Sequence, residues 1–153
     1  MSFVTDYLDR SGVGYEVAEH PRAVTSMAEA RALGITADEV VKTIVLITDR
    51  GPALVVAPAS RRLDLRLARE AVGDHAARLA SEEELQRSFS ECELGALPPL
   101  GSLLGAPVFV DPEVLEHDTV MFAAGTQTQS IKARCADLFR REQVQVIPLT
   151  RPD

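Results

Sequence analysis

The stretch VVKTIVLITDRGPALVVA, residues 40–57, decides the fold class of this 153-residue chain. Residues 40–48 are apolar and rich in β-branched side chains, which is typical of a buried strand. Asp49-Arg50-Gly51-Pro52 has the composition of a tight turn, and residues 53–57 supply the returning strand. The stretch therefore predicts an antiparallel hairpin to which the other elements attach.

Helices and further strands are predicted on both sides of this hairpin. Apolar spacing and turn residues predict helices over 2–11, 61–72 and 136–143, and strands over 15–18, 107–111, 119–124, 129–133 and 144–149, the last at a sheet edge. Three capping boxes, Ser26 with Glu29, Thr36 with Glu39 and Ser81 with Glu84, predict further helical segments. In the helix over 61–72, the predicted apolar face consists of Leu63, Leu67 and Ala71.

The order of these elements predicts the fold class. Hairpins outnumber βαβ crossovers, which favours an α+β or mixed α/β protein over a doubly wound parallel sheet. We expect a mixed, largely antiparallel central sheet surrounded by helices. No repeat, linker or low-complexity tract interrupts the chain, so we expect one domain over residues 1–153.

Composition excludes several classes of protein. Hydrophobic residues at 46% and charged residues at 25% are typical of a globular protein and not of a disordered chain. No apolar run approaches the ~20 residues of a membrane span. The first ten residues carry Asp6 and Asp9 where a secretory signal has a basic start and an apolar run, so we expect a cytoplasmic protein without a membrane partner.

The charge pattern limits the nucleic acid that the chain can bind. A net charge of −7 argues against wrapping a long nucleic acid, but it allows a local basic pocket to bind a short end. Of the 16 basic residues only Lys42 and Lys132 are lysines. Lys42 therefore raises the question of what an ammonium group does there that a guanidinium would not.

The familiar catalytic and metal-binding patterns do not occur. His20, His75 and His117 lack ligand spacing with a cysteine or a carboxylate, so we expect no metal and no cofactor. Cys92 lies between two glutamates that raise a thiol pKa. Cys135 begins a predicted helix, whose dipole would lower its pKa, although a small, partly buried residue is the simpler interpretation.

Two features carry chemical interest. Lys42 near the start of an apolar strand is either a side chain that reaches from a strand end to water or a contact to a phosphate or carbonyl oxygen in a pocket. The loop Gly95-Ala96-Leu97-Pro98-Pro99-Leu100-Gly101 is apolar and rigid where a simple connection would be polar. Glycine lets a ligand approach the backbone, and proline fixes which amides remain as donors, so the loop suits a main-chain binding site.

The ordered set of motifs resembles the YbaK-type aminoacyl-tRNA deacylases, which are related to the editing domain of bacterial prolyl-tRNA synthetases. The resemblance covers nearly the whole chain. Its parts are Glu19-His20-Pro21, Val41-Lys42-Thr43-Ile44, Pro58 with Leu63-Asp64-Leu65 and Gly73, the loop Gly95 to Gly101, and Gly125 to Ile131 with Asp137-Leu138. The loop, similar to the family's G-x-x-x-P element, is the strongest part.

The resemblance implies hydrolysis of a misattached amino acid from the 3′ acceptor end of a tRNA, most simply alanine or cysteine on a tRNA for proline, with a prolyl-tRNA synthetase as a further partner. It implies that Lys42 is catalytic and that water attacks with help from the terminal ribose hydroxyl, without a protein nucleophile. The substrate-binding residues that it implies are Gly95, Ala96, Leu97, Pro98, Pro99, Gly101, His20, Gly125, Thr126 and Ser130.

Three positions depart from relatives that remove cysteine. Those relatives carry an aromatic residue at Ala18, glycine at Ala96 and an acidic residue at Ser130, so the resemblance leaves the amino acid open. Two other functions also stay open: a non-catalytic module that binds aminoacyl-tRNA ends or a synthetase, and a hydrolase of another small activated ester. Turnover on charged tRNA distinguishes the first, and hydrolysis of a nucleotide-free ester distinguishes the second.

Overall fold

The predicted hairpin lies at the centre of a five-stranded mixed sheet. In the computed structural model, which describes residues 3–140 and 142–152, β2 (Val41–Thr48) pairs antiparallel with β3 (Gly51–Pro58) along their whole length. Strand β5 (Arg78–Leu79) pairs antiparallel with the far end of β2. On the other side, β6 (Val108–Val110) is parallel to β3 and β9 (Val144–Val146) is parallel to β6. The sheet order is therefore β5-β2-β3-β6-β9.

A second, antiparallel sheet carries the residues on either side of Ser130. Its order is β1 (Tyr15–Glu19), β8 (Gln129–Arg134) and β7 (Thr119–Ala123). Ser130 lies in the middle strand, opposite Ala18 on one side and Ala123 on the other. A two-stranded ribbon joins β4 (Arg62–Leu63) to β10 (Thr150–Arg151).

Short helices connect and cover these sheets. They are α1 (Phe3–Ser11), α2 (Ser26–Leu33), α3 (Leu65–Val72), α4 (Glu82–Ser88), α5 (Gly101–Leu104) and α6 (Cys135–Arg140), with 3₁₀ segments at Ala37–Glu39 and Pro112–Glu116. The capping boxes predicted at Thr36 and Ser81 are present. No helix in this described part of the chain is long and apolar enough to cross a bilayer.

The hairpin buries both of its faces, because strand residues alternate between them. Val41 and Val45 contribute to the largest apolar cluster, which also includes α1, β7 and β8 residues. Leu46 and Val55 belong to a second cluster, packed against α3. Near-continuous apolar sequence in this stretch reflects that two-sided burial. The mixed α/β class predicted from the sequence is confirmed.

Some predicted boundaries are wrong, and the reasons are local. Helix α3 begins after Asp64, whose side chain caps it, because residues 62–63 pair as β4. Its fully buried residues are Ala68 and Val72, while Leu63 and Ala71 of the predicted face are partly buried against the same cluster. The apolar loop before β6 contains the one-turn helix α5, and the C-terminal edge strand extends only over Val144–Val146.

The cap of α2 also differs from the prediction, with consequences for the site. Thr25, not Ser26, is the N-cap, and its side chain accepts a hydrogen bond from the Ala28 amide. Glu29 therefore does not take part in a capping box. It is only 3% exposed and points into the protein, where it contacts the second sheet.

Candidate active site

A cavity of about 200 Å³ lies where three segments meet: the first half of β2, the N-terminal turn of α2 and the loop that follows Leu94. Lys42 and Thr43 line it from β2, Glu29 lines it from α2, and Gly95 and Leu97 line it from the loop. This half of β2 has β3 on one side only, because β5 pairs with the other end of the strand. The free strand edge is what leaves room for the cavity.

The Lys42 side chain is held in a defined position. It lies opposite Ala57 in the hairpin register, so a small neighbour leaves space for the long stem. Its Nζ donates a hydrogen bond to the Arg61 carbonyl at 2.7 Å. This contact fixes the position of the ammonium group in a residue that lines the cavity.

Gly95 is the point where the loop and the start of α2 approach most closely. Its φ is +74°, and a Cβ atom added there would lie 1.9 Å from the Val24 carbonyl oxygen. Any other residue would have to displace backbone, so glycine is required for both conformation and space. Val24 and Gly95 both line the cavity, so this close approach lies at its wall.

The turn at 125–128 holds the loop from behind. The Gly125 amide donates to the Ala96 carbonyl at 3.0 Å, and the Glu93 amide donates to the Gly125 carbonyl at 2.9 Å. Residues 20–23 bond to the same turn, since the His20 amide donates to the Thr128 carbonyl at 2.9 Å. These bonds make the loop and the segment before α2 one connected backbone structure.

Glu29, Ser130 and His20 form a buried hydrogen-bonded chain beside the cavity. The Ser130 hydroxyl donates to Glu29 Oε2 at 2.5 Å, and His20 Nε2 lies 2.8 Å from Ser130 Oγ. His20 Nδ1 lies 2.8 Å from the Pro21 carbonyl, which only accepts, so Nδ1 carries a proton. The small neighbours of Ser130 in the sheet, Ala18 and Ala123, leave room for this chain.

The hydrogen bonds among Glu29, Ser130 and His20 require one proton that either Glu29 or His20 carries. If Ser130 donates to an ionised Glu29, then His20 must donate from both ring nitrogens and is an imidazolium. If His20 is neutral, Ser130 donates to Nε2 and Glu29 carries the proton. Burial raises the pKa of Glu29 above its ordinary 4.5, while the Ser130 hydroxyl and the nearby His20 oppose that rise.

The two cysteines do not supply a nucleophile. Burial raises the pKa of Cys92 to about 11, with a further contribution from the Glu91 charge. Burial also raises the pKa of Cys135 to about 11, which agrees with the interpretation of this residue as a small buried one and not with a thiol activated by a helix start. A thiol with such a pKa is protonated at neutral pH. No group of three or more potential metal ligands occurs among residues 3–140 and 142–152.

The structure brings some predicted site residues together and separates others. Lys42, Gly95 and Leu97 line one cavity. Ala96, Pro98 and Pro99 of the loop are buried. Gly125 supports the loop through backbone hydrogen bonds with Ala96 and Glu93. Ser130 is fully buried and reaches the cavity through Glu29, with His20 beyond it. Thr126 lies in the supporting turn, and its Oγ1 is buried without a hydrogen-bond partner in the described structure.

Gly101 lies elsewhere, in a cleft of about 610 Å³ between α5, β6 and residues 142–145. Sequence reasoning missed Glu29, which it placed in a capping box, and Thr43, whose Oγ1 is buried without a partner among the described residues. Thr43 also lines an adjoining apolar cavity of about 240 Å³, together with Leu97 and Leu85. Its position directly after Lys42 is the only signal that the sequence offers for Thr43.

Known proteins resemble this chain in both sequence and fold. The model of the aminoacyl-tRNA editing domain family matches residues 20–140. A candidate trans-editing enzyme for prolyl-tRNA synthetase is 28% identical, with 97% of this chain and 95% of that chain covered and a TM-score of 0.85. A scaffold protein from computational epitope grafting is 26% identical, with coverage of 99% and 96% and a TM-score of 0.86.

A hypothetical protein with a TM-score of 0.88 is 21% identical, with 98% of this chain and 100% of that chain covered, and it supports the fold alone. No curated protein sequence matches the chain significantly.

Proposed function

The chain belongs to the family of aminoacyl-tRNA editing domains, and from that membership we propose that it is a deacylase that hydrolyses mischarged aminoacyl-tRNA. The observation that carries this proposal is one cavity lined by the Lys42 ammonium group and by the Gly95–Leu97 loop. These are the residues that the resemblance implies for catalysis and for amino-acid binding, and they lie 53 to 55 positions apart in the sequence.

Positioning and charge stabilisation are sufficient for this reaction. An aminoacyl ester is already activated, so a site that orients the ester and a water molecule supplies much of the acceleration. Lys42 is proposed to contact the ester oxygen or a terminal phosphate, where its charge stabilises the developing oxyanion. The attacking group is water, assisted by the ribose hydroxyl of the substrate, which agrees with the protonated state of Cys92 and Cys135.

The proposed substrate is a tRNA for proline that carries alanine or cysteine. A cavity of about 200 Å³ suits a small amino acid, and Leu97 gives it an apolar wall. The relative that is 28% identical is described as acting in trans for prolyl-tRNA synthetase, which supports that synthetase as the proposed partner. The net charge of −7 favours contact with the acceptor end and not with the whole tRNA.

The test is a panel of charged tRNAs incubated with catalytic amounts of the protein, with release of each amino acid measured over several turnovers. We expect release of alanine or cysteine from the tRNA for proline, little release of proline, and no hydrolysis of a nucleotide-free alanyl ester at a comparable rate. Binding of charged tRNA without turnover would contradict the proposal and would favour a non-catalytic module.

A further inference from the structure

Glu29 is a buried carboxylate with one oxygen available to the cavity. Its side chain is 3% exposed and lines the same cavity as Lys42. Oε2 accepts the hydrogen bond from Ser130, whereas no described residue donates to Oε1. Nothing in the reaction proposed above uses this carboxylate.

A carboxylate at this depth needs more than one neutral donor. Moving an ionised carboxylate from water into a protein interior is costly unless charge and hydrogen bonds compensate for the lost solvation. Glu142 shows how the same chain satisfies a buried carboxylate: Oε1 accepts from the Ser102 amide at 2.9 Å and Oε2 accepts from the Tyr7 hydroxyl at 2.6 Å. Among the described residues Glu29 has only the Ser130 hydroxyl as a donor, so Oε1 has none, and the residue lines the cavity.

The charged groups near Glu29 already have other contacts. From β2, the Lys42 ammonium is bonded to the Arg61 carbonyl. From the end of β1, His20 reaches Glu29 only through Ser130 and also contacts the Pro21 carbonyl. The Gly95–Leu97 loop carries no charged side chain. A cationic ligand in the cavity would therefore be the direct partner that Glu29 lacks.

We propose that Glu29 Oε1 binds the α-ammonium group of the aminoacyl ester, so that the site selects acyl groups with a free amine. The inference rests on the proposed function, because an aminoacyl ester places a cation one carbon away from the carbonyl. Lys42 and Glu29 then recognise the two ends of that short unit, an oxygen and an ammonium respectively. An ester whose nitrogen is acylated, or replaced by hydroxyl, offers Glu29 no charge.

The proton shared along Glu29, Ser130 and His20 is compatible with this role. Burial raises the pKa of Glu29 and so favours the protonated carboxyl group. A cation beside Oε1 acts in the opposite direction and favours the ionised carboxylate.

The test compares three acyl groups on the same tRNA near pH 7: alanyl, lactyl, which has hydroxyl in place of the amine, and N-acetylalanyl. Dividing each kcat/KM by the uncatalysed rate of that ester removes intrinsic reactivity. We expect the wild type to prefer alanyl over lactyl by about 10-fold or more, as for a hydrogen bond to a charged group. Glu29→Gln should lose most of that preference, mainly through a higher KM for the alanyl ester.

The matched control is Glu142→Gln, which neutralises a buried glutamate outside the cavity and should keep the wild-type preference. An active Glu29→Gln variant with an unchanged alanyl-to-lactyl ratio would overturn the assignment of Glu29 and leave the deacylase function intact. A wild type without turnover on any charged tRNA would instead overturn the proposed function, and the assignment with it.

A binding measurement covers the case in which Glu29→Gln fails to fold. Wild-type protein is titrated with adenosine that carries an alanyl or a lactyl group through a 3′-amide, which cannot be hydrolysed as an ester. We expect the alanyl compound to bind about 10-fold more tightly. Equal dissociation constants would overturn the role of Glu29.

Discussion

Glu142 and Glu29 are both buried carboxylates beside a cavity, and the larger cavity is next to Glu142. That cleft measures about 610 Å³, against about 200 Å³ for the cavity next to Glu29. Glu142 uses both oxygens to join α1 to α5 through Tyr7 and the Ser102 amide. Glu29 uses one oxygen for Ser130, no described residue donates to the other, and the residue lines the cavity that Lys42 also lines.

The difference shows why volume alone does not identify a site. In the large cleft Glu142 already accepts from the Ser102 amide and the Tyr7 hydroxyl, so a ligand that took this carboxylate would have to displace a bond that joins α1 to α5. In the small cavity, Thr43 Oγ1 has no hydrogen-bond partner among the described residues, and no described residue donates to Glu29 Oε1. Incomplete satisfaction of buried polar groups is therefore the better guide to function in this protein.

The largest expected effect is on Lys42. Lys42→Ala should lower kcat/KM for deacylation by about 10²-fold or more, because it removes a charge that acts in the transition state. The free energy of unfolding should change by less than about 1 kcal/mol, since the side chain is only half-buried. Gln145→Ala, in the large cleft, is the control and should keep the wild-type rate. Loss of activity in the Gln145 variant instead would move the site to the large cleft.

Gly95→Ala should cause the next largest change. The added Cβ would lie 1.9 Å from the Val24 carbonyl, and alanine is strained at φ +74°. We expect a loss of roughly 1–3 kcal/mol in the free energy of unfolding, together with a clear fall in deacylation as the cavity changes shape. Gly14→Ala is the matched control because its Cβ would meet nothing within 4 Å. Urea denaturation and initial rates measure both quantities, and equal behaviour of the two variants would contradict this role for Gly95.

Glu142→Gln should affect stability but not substrate choice. A glutamine amide group cannot accept from both the Ser102 amide and the Tyr7 hydroxyl, so one of these part-buried donors loses its protein partner. The expected cost is about 1–3 kcal/mol in the free energy of unfolding. The relative rates on different charged tRNAs should stay those of the wild type. A changed substrate preference in this variant would show that the large cleft also binds the acceptor end.

The smallest expected effect is the pH dependence of stability that Glu29 contributes. Burial raises the pKa of Glu29 above 4.5, so the folded protein binds more protons at this group than the unfolded chain just above that pH. Stability from this group is therefore present below the ordinary pKa and is lost as pH rises through the raised one. The free energy of unfolding, measured by denaturation near pH 4 and near pH 7, should rise for Glu29→Gln relative to the wild type at the higher pH. A relative loss would contradict the raised pKa.

The central hairpin was accessible from sequence, and so was the grouping of the loop with Lys42. A long β-branched run that ends at the turn Asp49-Arg50-Gly51-Pro52 is compatible with few structures other than a hairpin. The hairpin places Lys42 near the start of a strand. The resemblance linked Lys42 with Gly95 and Leu97, and the structure puts all three at one cavity. The sequence also singles out Gly95, and the structure gives the reason for a glycine there: a Cβ atom would collide with the Val24 carbonyl oxygen.

The role of Glu29 was not accessible from sequence. Ser26 and Glu29 fit the spacing of a capping box, but Thr25 caps α2 and leaves the glutamate to turn inward. Its partners Ser130 and His20 are distant in the chain, and only the pairing of β1 with β8 brings them together. Local patterns describe helix ends well, whereas a buried polar chain depends on tertiary register.

The most direct measurement determines where on the protein the aminoacyl end of the substrate binds. Titration of isotope-labelled protein with 3′-alanylamido-adenosine, followed by backbone amide NMR, reports which cavity the ligand enters. We expect the strongest shifts at residues 41–44 and 95–97 and at Glu29, with residues 101–108 and 142–145 unaffected. Shifts concentrated around the large cleft, with Lys42 and Glu29 unmoved, would contradict the assignment of the small cavity as the active site.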